Sequence, residues 1–228
     1  MSRGLFITGT DIGVGKTLIT SALLQALGAG GYTTLAMKPV ATGCWQTADG
    51  LRSEDAESLI SAMNQDASYR EVNPVALETT SEPIVSALQN RVDLTIDELA
   101  AQSISLSKRA DWLLIEGPGG VQTPITRTDT AADLALAIGF PILLVIGLRT
   151  GCLNHAAMSI DSLKQKGLRL AGWIGNECDG STADLEATVH TLEKIIPADC
   201  LAVIRWQPRL DPQQLARQLH PAARKVTR

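Results

Sequence analysis

The sequence predicts an α/β fold, a mostly parallel sheet with helices on both faces, and three observations carry that expectation. The first is a short apolar run, Leu5-Phe6-Ile7-Thr8-Gly9, which stops at glycine and gives way to a pattern of helical period. The second is a pair of unbroken apolar runs, Trp112-Leu113-Leu114-Ile115 and Ile142-Leu143-Leu144-Val145-Ile146. Strands buried on both faces, as in a parallel sheet, read as continuous runs and do not alternate. The third is the alternation of such runs with helical stretches, which is the signature of βαβ units.

Taken in chain order, Leu18, Ile19, Ala22, Leu23, Ala26 and Leu27 recur at helical spacing after the first strand, and Gly28, Gly30 and Gly31 end that helix. Thr34-Leu35-Ala36-Met37 reads as a second strand leading into Lys38-Pro39. Helical patterns follow from Glu54 to Met63 and from Thr95 to Lys108, where Thr95 and Glu98 have the spacing of a capping box. Beyond the Trp112 strand come a helix from Thr130 to Ile138, the Ile142 strand, a helix from Leu153 to Lys166, a strand from Leu168 to Ile174 and a helix from Thr182 to Ile195. The basic stretch from Arg217 to Arg228 reads as a frayed, solvated terminus. Right-handed crossovers place helices on both faces and leave the loops at the carboxyl ends of the strands as the ligand crevice. No repeat, low-complexity segment or long linker divides the chain, so a single domain over residues 1–228 is expected.

Composition narrows the function classes. A chain of 228 residues suits one sizeable core, and 45% hydrophobic with 19% charged residues excludes intrinsic disorder. Lys and Arg number 20 against 24 Asp and Glu, a net charge of -4 with no basic stripe outside the C-terminal stretch, which argues against a nucleic-acid partner. Cys44, Cys152, Cys178 and Cys200 lie far apart without a C-x-x-C pair, so neither a zinc site nor a disulfide framework is expected, and reduced thiols fit the cytoplasm. Met1-Ser2-Arg3-Gly4 runs straight into a strand without signal-peptide architecture, and no apolar run approaches the roughly 18 residues of a membrane span. A cytoplasmic protein with no membrane partner is expected.

Gly9-Thr10-Asp11-Ile12-Gly13-Val14-Gly15-Lys16-Thr17 carries the chemistry. It lies between a buried strand and a helix, where backbone N–H groups and the positive end of the helix dipole favour a phosphate chain. Lys16 supplies a cation for the β and γ phosphates, and the Thr17 hydroxyl can ligate Mg²⁺. Five residues separate Gly9 from Gly15 where the strict pattern has four, so the loop is one residue longer. The expected fold is accordingly P-loop NTPase-like. Magnesium takes hard oxygen ligands. Glu116, at the end of the Trp112 strand and before Gly117-Pro118-Gly119-Gly120, stands at the sheet's carboxyl edge above what reads as a flexible loop. Asp55, in Ser53-Glu54-Asp55-Ala56, reads on its own as an acidic first-turn residue of a helix. Lys38, directly after the second strand, reaches the same crevice, where phosphoryl transfer calls for cations.

Together these segments resemble the dethiobiotin synthetase family over roughly residues 4 to 207. The resemblance rests on Gly9-Thr10-Asp11 with Val14-Gly15-Lys16-Thr17, Lys38-Pro39-Val40-Ala41-Thr42-Gly43, Asp55-Ala56, Asn73-Pro74, Glu116-Gly117-x-Gly119-Gly120, Gly151-Cys152-Leu153-Asn154-His155 and Ala171-Gly172-Trp173 with Asn176. It implies that 7,8-diaminopelargonate, CO2 and ATP become dethiobiotin, ADP and phosphate through a carbamate and its mixed anhydride with phosphate. It further implies that Lys16 and Lys38 are catalytic, and that Thr17, Asp55 and Glu116 hold Mg²⁺, which changes the reading of Asp55. ATP would be bound by Gly13, Val14, Gly15, Lys16, Thr17, Leu18, Glu116, Gly117, Pro118, Gly119, Asn176, Glu177, Arg205, Trp206 and Gln207. Asn176 would read the adenine edge, and Arg205 to Gln207 would wall the base. Thr42, Gly151, Cys152, Leu153 and Asn154 would meet the diamine substrate, whose tail lies near the interface of a homodimer.

The chain departs from the family pattern at four places. Gly13 stands where an acidic residue is common, Pro118 replaces a small residue, Ile84 follows Pro83 where histidine is common, and Arg205 holds a position usually given to proline. His155 reads as a local hydrogen-bonder, and the four tryptophans and Met158 as packing residues. Two other readings compete, a related ATP-dependent amidating enzyme of cofactor synthesis and a P-loop ATPase switch protein. The second would usually carry another lysine near Asp11 to Gly13, and none is present.

Overall fold

The computed structural model describes residues 3–208 and 211–227, so Met1, Ser2 and Arg228 of the terminal stretches read above lie outside the described residues. In chain order the elements are β1 Arg3–Gly9, α1 Lys16–Ala29, β2 Thr34–Met37, β3 Val40–Ala41, β4 Trp45–Thr47, β5 Gly50–Arg52, α2 Glu54–Ala62, α3 Tyr69–Val72, β6 Val75–Ala76 and α4 Pro83–Asn90. They continue with α5 Ile96–Ser107, β7 Trp112–Gly120, α6 Ala131–Ile138, β8 Ile142–Leu148, α7 Cys152–Gln165, β9 Leu170–Glu177, α8 Leu185–Ile195, β10 Cys200–Ile204 and α9 Pro212–Val226.

Six of the strands form one sheet in the order β10-β9-β8-β1-β7-β2, and every pairing in it is parallel. The short strands β3 with β6 and β4 with β5 form two separate pairs beside it. The unbroken apolar runs explain the burial: Ile7, Leu114, Leu143 and Val145 point to one face and Phe6, Leu113, Ile115 and Leu144 to the other, all at 1% exposure or less. Burying each such side chain stabilises the fold by about 1.5–3 kcal/mol. Helices α5, α6, α7 and α8 cover one face and α1, α2 and α9 the other, so the expected helices on both faces are present.

Several expectations are corrected. The C-terminal basic stretch is not frayed: it belongs to α9, whose Leu215, Ala216, Leu219, Ala222 and Ala223 are buried and which packs along α1. Thr95 is the N-cap of α5, but its side chain makes no capping hydrogen bond, so the predicted box does not form. Boxes of that kind close elsewhere, where Glu71 and Asp133 accept from the backbone N–H groups of Ser68 and Thr130. Gly117 to Gly120 is no flexible loop, since β7 runs through Gly120 and pairs it with Gly9. Trp112 and Trp173 are packing residues, whereas Trp45, Trp206 and Met158 are exposed. The strands and helices α3, α4, β10 and the short pairs went unread in the sequence. All four cysteines are free. Among the described residues no helix is long and apolar enough to cross a membrane.

Candidate active site

Between Gly9, the last residue of β1, and Lys16, the first of α1, the chain makes the phosphate loop. Gly15 sits at φ 89°, in the left-handed region, and a Cβ there would lie 2.4 Å from Asn176 Nδ2. Glycine alone meets both conditions. Asn176, near the end of β9, donates from Nδ2 to Val14 O at 3.0 Å and braces the loop from the neighbouring strands. Lys16 Nζ donates to the Asp11 carbonyl at 3.0 Å, folding the lysine over the loop. The first turn of α1 carries no acidic residue and no side-chain cap, so its N–H groups and dipole are free for an anion.

Four more side chains meet at the mouth of this loop. Thr17 Oγ1 lies 2.8 Å from Asp55 Oδ1 and 2.9 Å from Glu116 Oε1, its single proton serving one at a time. Lys38 Nζ lies 2.7 Å from Asp55 Oδ2 and 2.5 Å from Glu116 Oε1. Sheet register brings them together: Met37 pairs with Ile115 and Ile7 with Glu116, so Lys38 leaves β2 beside the Glu116 carboxylate. Ser53 caps α2, its Oγ accepting from Ala56 N–H at 3.5 Å, which fixes the turn that carries Asp55.

A supporting chain of hydrogen bonds holds Lys38 from behind. Its N–H donates to Val72 O at 2.7 Å, and its carbonyl accepts from Asn73 Nδ2 at 2.7 Å. Tyr69 Oη donates to Asn73 Oδ1 at 3.0 Å and accepts from Ser53 N–H at 2.7 Å, tying the start of α2 to the lysine's backbone. Sequence reasoning gave Tyr69 and Ser53 no role and Asn73 only a place in a motif; the signal was the Asn-Pro step itself.

Charge decides the state of each group. Burial alone would lower the Lys38 pKa, but the Glu116 and Asp55 carboxylates and their hydrogen bonds outweigh it and raise it above the ordinary value. Lys16 lacks such close partners: burial, and then repulsion from Lys38, lower it to about 8. Burial works to raise the Asp55 pKa, yet the Lys38 charge and the hydrogen bonds from Lys38 and Thr17 hold it below the usual carboxylate value.

Glu116 is fully buried, and its Oε2 has no hydrogen-bond partner. A buried carboxylate oxygen left without a partner is costly, and a bound cation is the partner its position allows. Thr17, Asp55 and Glu116 are the hard oxygens that magnesium takes. Among the described residues no group of three or more His, Cys, Asp and Glu converges, so this set fits a metal that completes its shell with phosphate oxygens and water.

The cleft over this cluster holds about 450 Å³ and is walled by Gly13, Gly15, Lys16, Thr17, Leu18, Lys38, Thr42, Asp55, Glu116, Pro118 and Gly119, and Ser81 and Glu82 also line it. Val14 is buried beneath the loop, and Gly117 continues β7 between Glu116 and Pro118. Glu177 ends β9 and accepts from Trp206 N–H at 3.1 Å; Arg205, Trp206 and Gln207 are exposed, and none of these four residues lines the cleft. Gly151, Cys152, Leu153 and Asn154 open α7 and are not part of the cleft wall. The Cys152 side chain is buried in the core, whereas Gly151 and Asn154 are exposed.

A protein-family model described as an AAA domain matches residues 3–214. The ATP-dependent dethiobiotin synthetase BioD of Cellvibrio japonicus is 42% identical over 208 residues, covering 91% of this chain and 90% of that protein. Its namesake from Xylella fastidiosa is 37% identical over 217 residues, covering 95% and 96%. Among solved structures, the cell division ATPase MinD of Pyrococcus furiosus superposes with a TM-score of 0.67 at 20% identity, covering 100% of this chain and 99% of that one. The MinD protein complexed with Mg-ADP from Pyrococcus horikoshii gives 0.65 at 21%, covering 99% and 96%. At such identities the likeness shows the fold alone, that of the P-loop NTPases.

Proposed function

The chain belongs to the ATP-dependent dethiobiotin synthetase family, and from that premise we propose how its own residues divide the work of closing the ureido ring. It is an ATP-dependent ligase of biotin biosynthesis. In our reading the substrates are 7,8-diaminopelargonate, CO2 and ATP, and one domain over residues 1–228 carries the reaction in the cytoplasm as a homodimer.

One amine adds to CO2 and loses a proton, giving a carbamate. A carbamate oxygen then attacks the γ-phosphorus and ADP departs, which turns a poor leaving oxygen into a good one. The second amine attacks the carbonyl carbon, loses a proton and expels phosphate. The protein mainly positions these groups and neutralises charge. Lys38, kept cationic by its two carboxylates, faces the carbamate and the transferring phosphoryl group, and Lys16 with the loop N–H groups receives the phosphates. Thr17, Asp55 and Glu116 would hold Mg²⁺, which when bound offsets the charge of the triphosphate. Thr42, on the cleft wall, orients the diamine, the head of α7 from Gly151 to Asn154 takes its carboxylate tail, and Asn176, Glu177 and Arg205 to Gln207 take the base.

The convergence of Thr17, Lys38, Asp55 and Glu116 at the mouth of the phosphate loop carries this reading. Purified protein should consume ATP only when the diamine and CO2 are both supplied, with dethiobiotin detected as product. ATP turnover without them, stimulated by a protein or a membrane, would favour the switch reading. Lys38→Ala should lower kcat roughly 100- to 1,000-fold, and an unchanged rate would strike Lys38 from the catalytic residues.

A further inference from the structure

We infer that Arg149 is a positioning residue of the phosphate loop, placed to neutralise the Asp11 carboxylate that shapes the loop. The inference rests on the proposal that a nucleotide's phosphates occupy this loop.

Strands β1 and β8 are neighbours, with Gly9 opposite Val145. After β1 the chain returns through α1 on one face of the sheet, and after β8 it returns through α7 on the other. The crevice therefore opens between these two strand ends, the place where open α/β sheets bind ligands. Asp11 lies just past the end of β1 and Arg149 just past the end of β8, and Arg149 Nη2 meets Asp11 Oδ2 at 2.6 Å across the crevice.

Asp11 serves the loop in two other ways. Its Oδ1 accepts from the adjacent Ile12 N–H at 2.7 Å within the turn, and its carbonyl accepts from Lys16 Nζ. A carboxylate in this place conflicts with the loop's purpose, because it adds negative charge where an incoming triphosphate already brings several. Arg149 removes the conflict without undoing the turn, since it takes the oxygen that Ile12 does not use. Among the described residues Asp11 alone lies within ion-pair distance of the guanidinium, and Asp179 feels its charge from farther away. Both side chains are about two-fifths exposed, at 38% and 44%, so the pair adds little to folding and its consequence falls on the ligand.

The test is a double-mutant cycle read by calorimetric titration of Mg-ADP into the whole protein. Arg149→Ala should weaken binding about fivefold at low ionic strength, and the loss should shrink as salt is added. Arg149→Gln, which keeps more of the side chain, should lose as much. Asp11→Asn retains an oxygen for Ile12 N–H and drops the charge, so Asp11→Asn combined with Arg149→Ala should return to within about twofold of the parent protein. A double variant as weak as Arg149→Ala would mean that the guanidinium acts on the phosphates directly, and the inference would fall. It also falls if Arg149→Ala and Arg149→Gln bind like the parent, or if Asp11→Asn alone binds more weakly. A parent protein that does not bind Mg-ADP sinks the phosphate-loop reading first and takes this inference with it.

Discussion

Two lysines in one cleft carry opposite electrostatic settings. Lys38 is held between Glu116 and Asp55 and stays an ammonium, whereas Lys16 is buried beside that ammonium and its pKa falls to about 8 from the ordinary 10.5. Between those two values the folded protein binds fewer protons at this site than the unfolded chain, so the group's contribution to stability rises with pH across that window. Nucleotide binding has the opposite sign, because phosphates favour the charged amine. Mg-ADP affinity should be flat below about pH 7.5 and fall by up to tenfold per unit above 8, with about one proton taken up per nucleotide bound at pH 9. Calorimetry in buffers of different ionisation heat measures that uptake, and Lys16→Met should abolish it. An affinity independent of pH up to 9.5 would show that the Lys16 ammonium does not meet the phosphates. The loop that holds Lys16 was legible because its signal is local, nine consecutive residues from the end of a strand to the start of a helix. Asp55 was not legible by itself: its partners Thr17 and Lys38 are 38 and 17 positions away, and only the resemblance joined them.

Among the elements, α9 shows where reading by charge fails. Its buried stripe is two leucines and three alanines, interrupted by Pro221 and surrounded by Gln, Arg and Lys, so polarity outweighed period. The helix nevertheless lies along α1, the element that presents Lys16 and Thr17. Leu219 is fully buried at that contact. Leu219→Ala should cost about 2–5 kcal/mol by urea denaturation, the combined loss of transfer energy and the cavity left behind. A change under about 0.5 kcal/mol would return α9 to the status of a loose terminus. Strands β7 and β8 had an unmistakable cause, continuous apolar runs buried on both faces. β10 is five residues long with only Leu201 and Ile204 buried, and α4 begins on a proline, so neither had enough pattern to be seen. Thr95 had the right residue spacing for a capping box and did not close one, because spacing fixes which groups can meet and the surrounding packing decides whether they do.

At the scale of the whole molecule, the site exists only while the sheet is intact. Thr17 comes from α1, Lys38 from the end of β2, Asp55 from α2 and Glu116 from β7, and no stretch of the chain contains more than one of them within 15 residues. Unfolding therefore disperses the site, and ligand that binds only the folded form stabilises it by mass action, about 2.7 kcal/mol at a hundredfold excess over Kd. For a chain of this length that corresponds to a rise in Tm of about 5–10 °C. Mg-ATP should give that shift, and chelating the metal with EDTA should remove most of it if Thr17, Asp55 and Glu116 hold the magnesium. Asp55→Ala and Glu116→Ala change the starting Tm as well, since each leaves Lys38 short of a partner. The informative quantity is therefore the difference between the shifts with and without magnesium within each variant. A variant that keeps the full magnesium-dependent shift has lost no metal ligand, and its carboxylate then serves only as a counter-ion to Lys38. If both variants keep it, the metal is held by the nucleotide and Thr17 alone, and the orphaned Glu116 oxygen needs another partner.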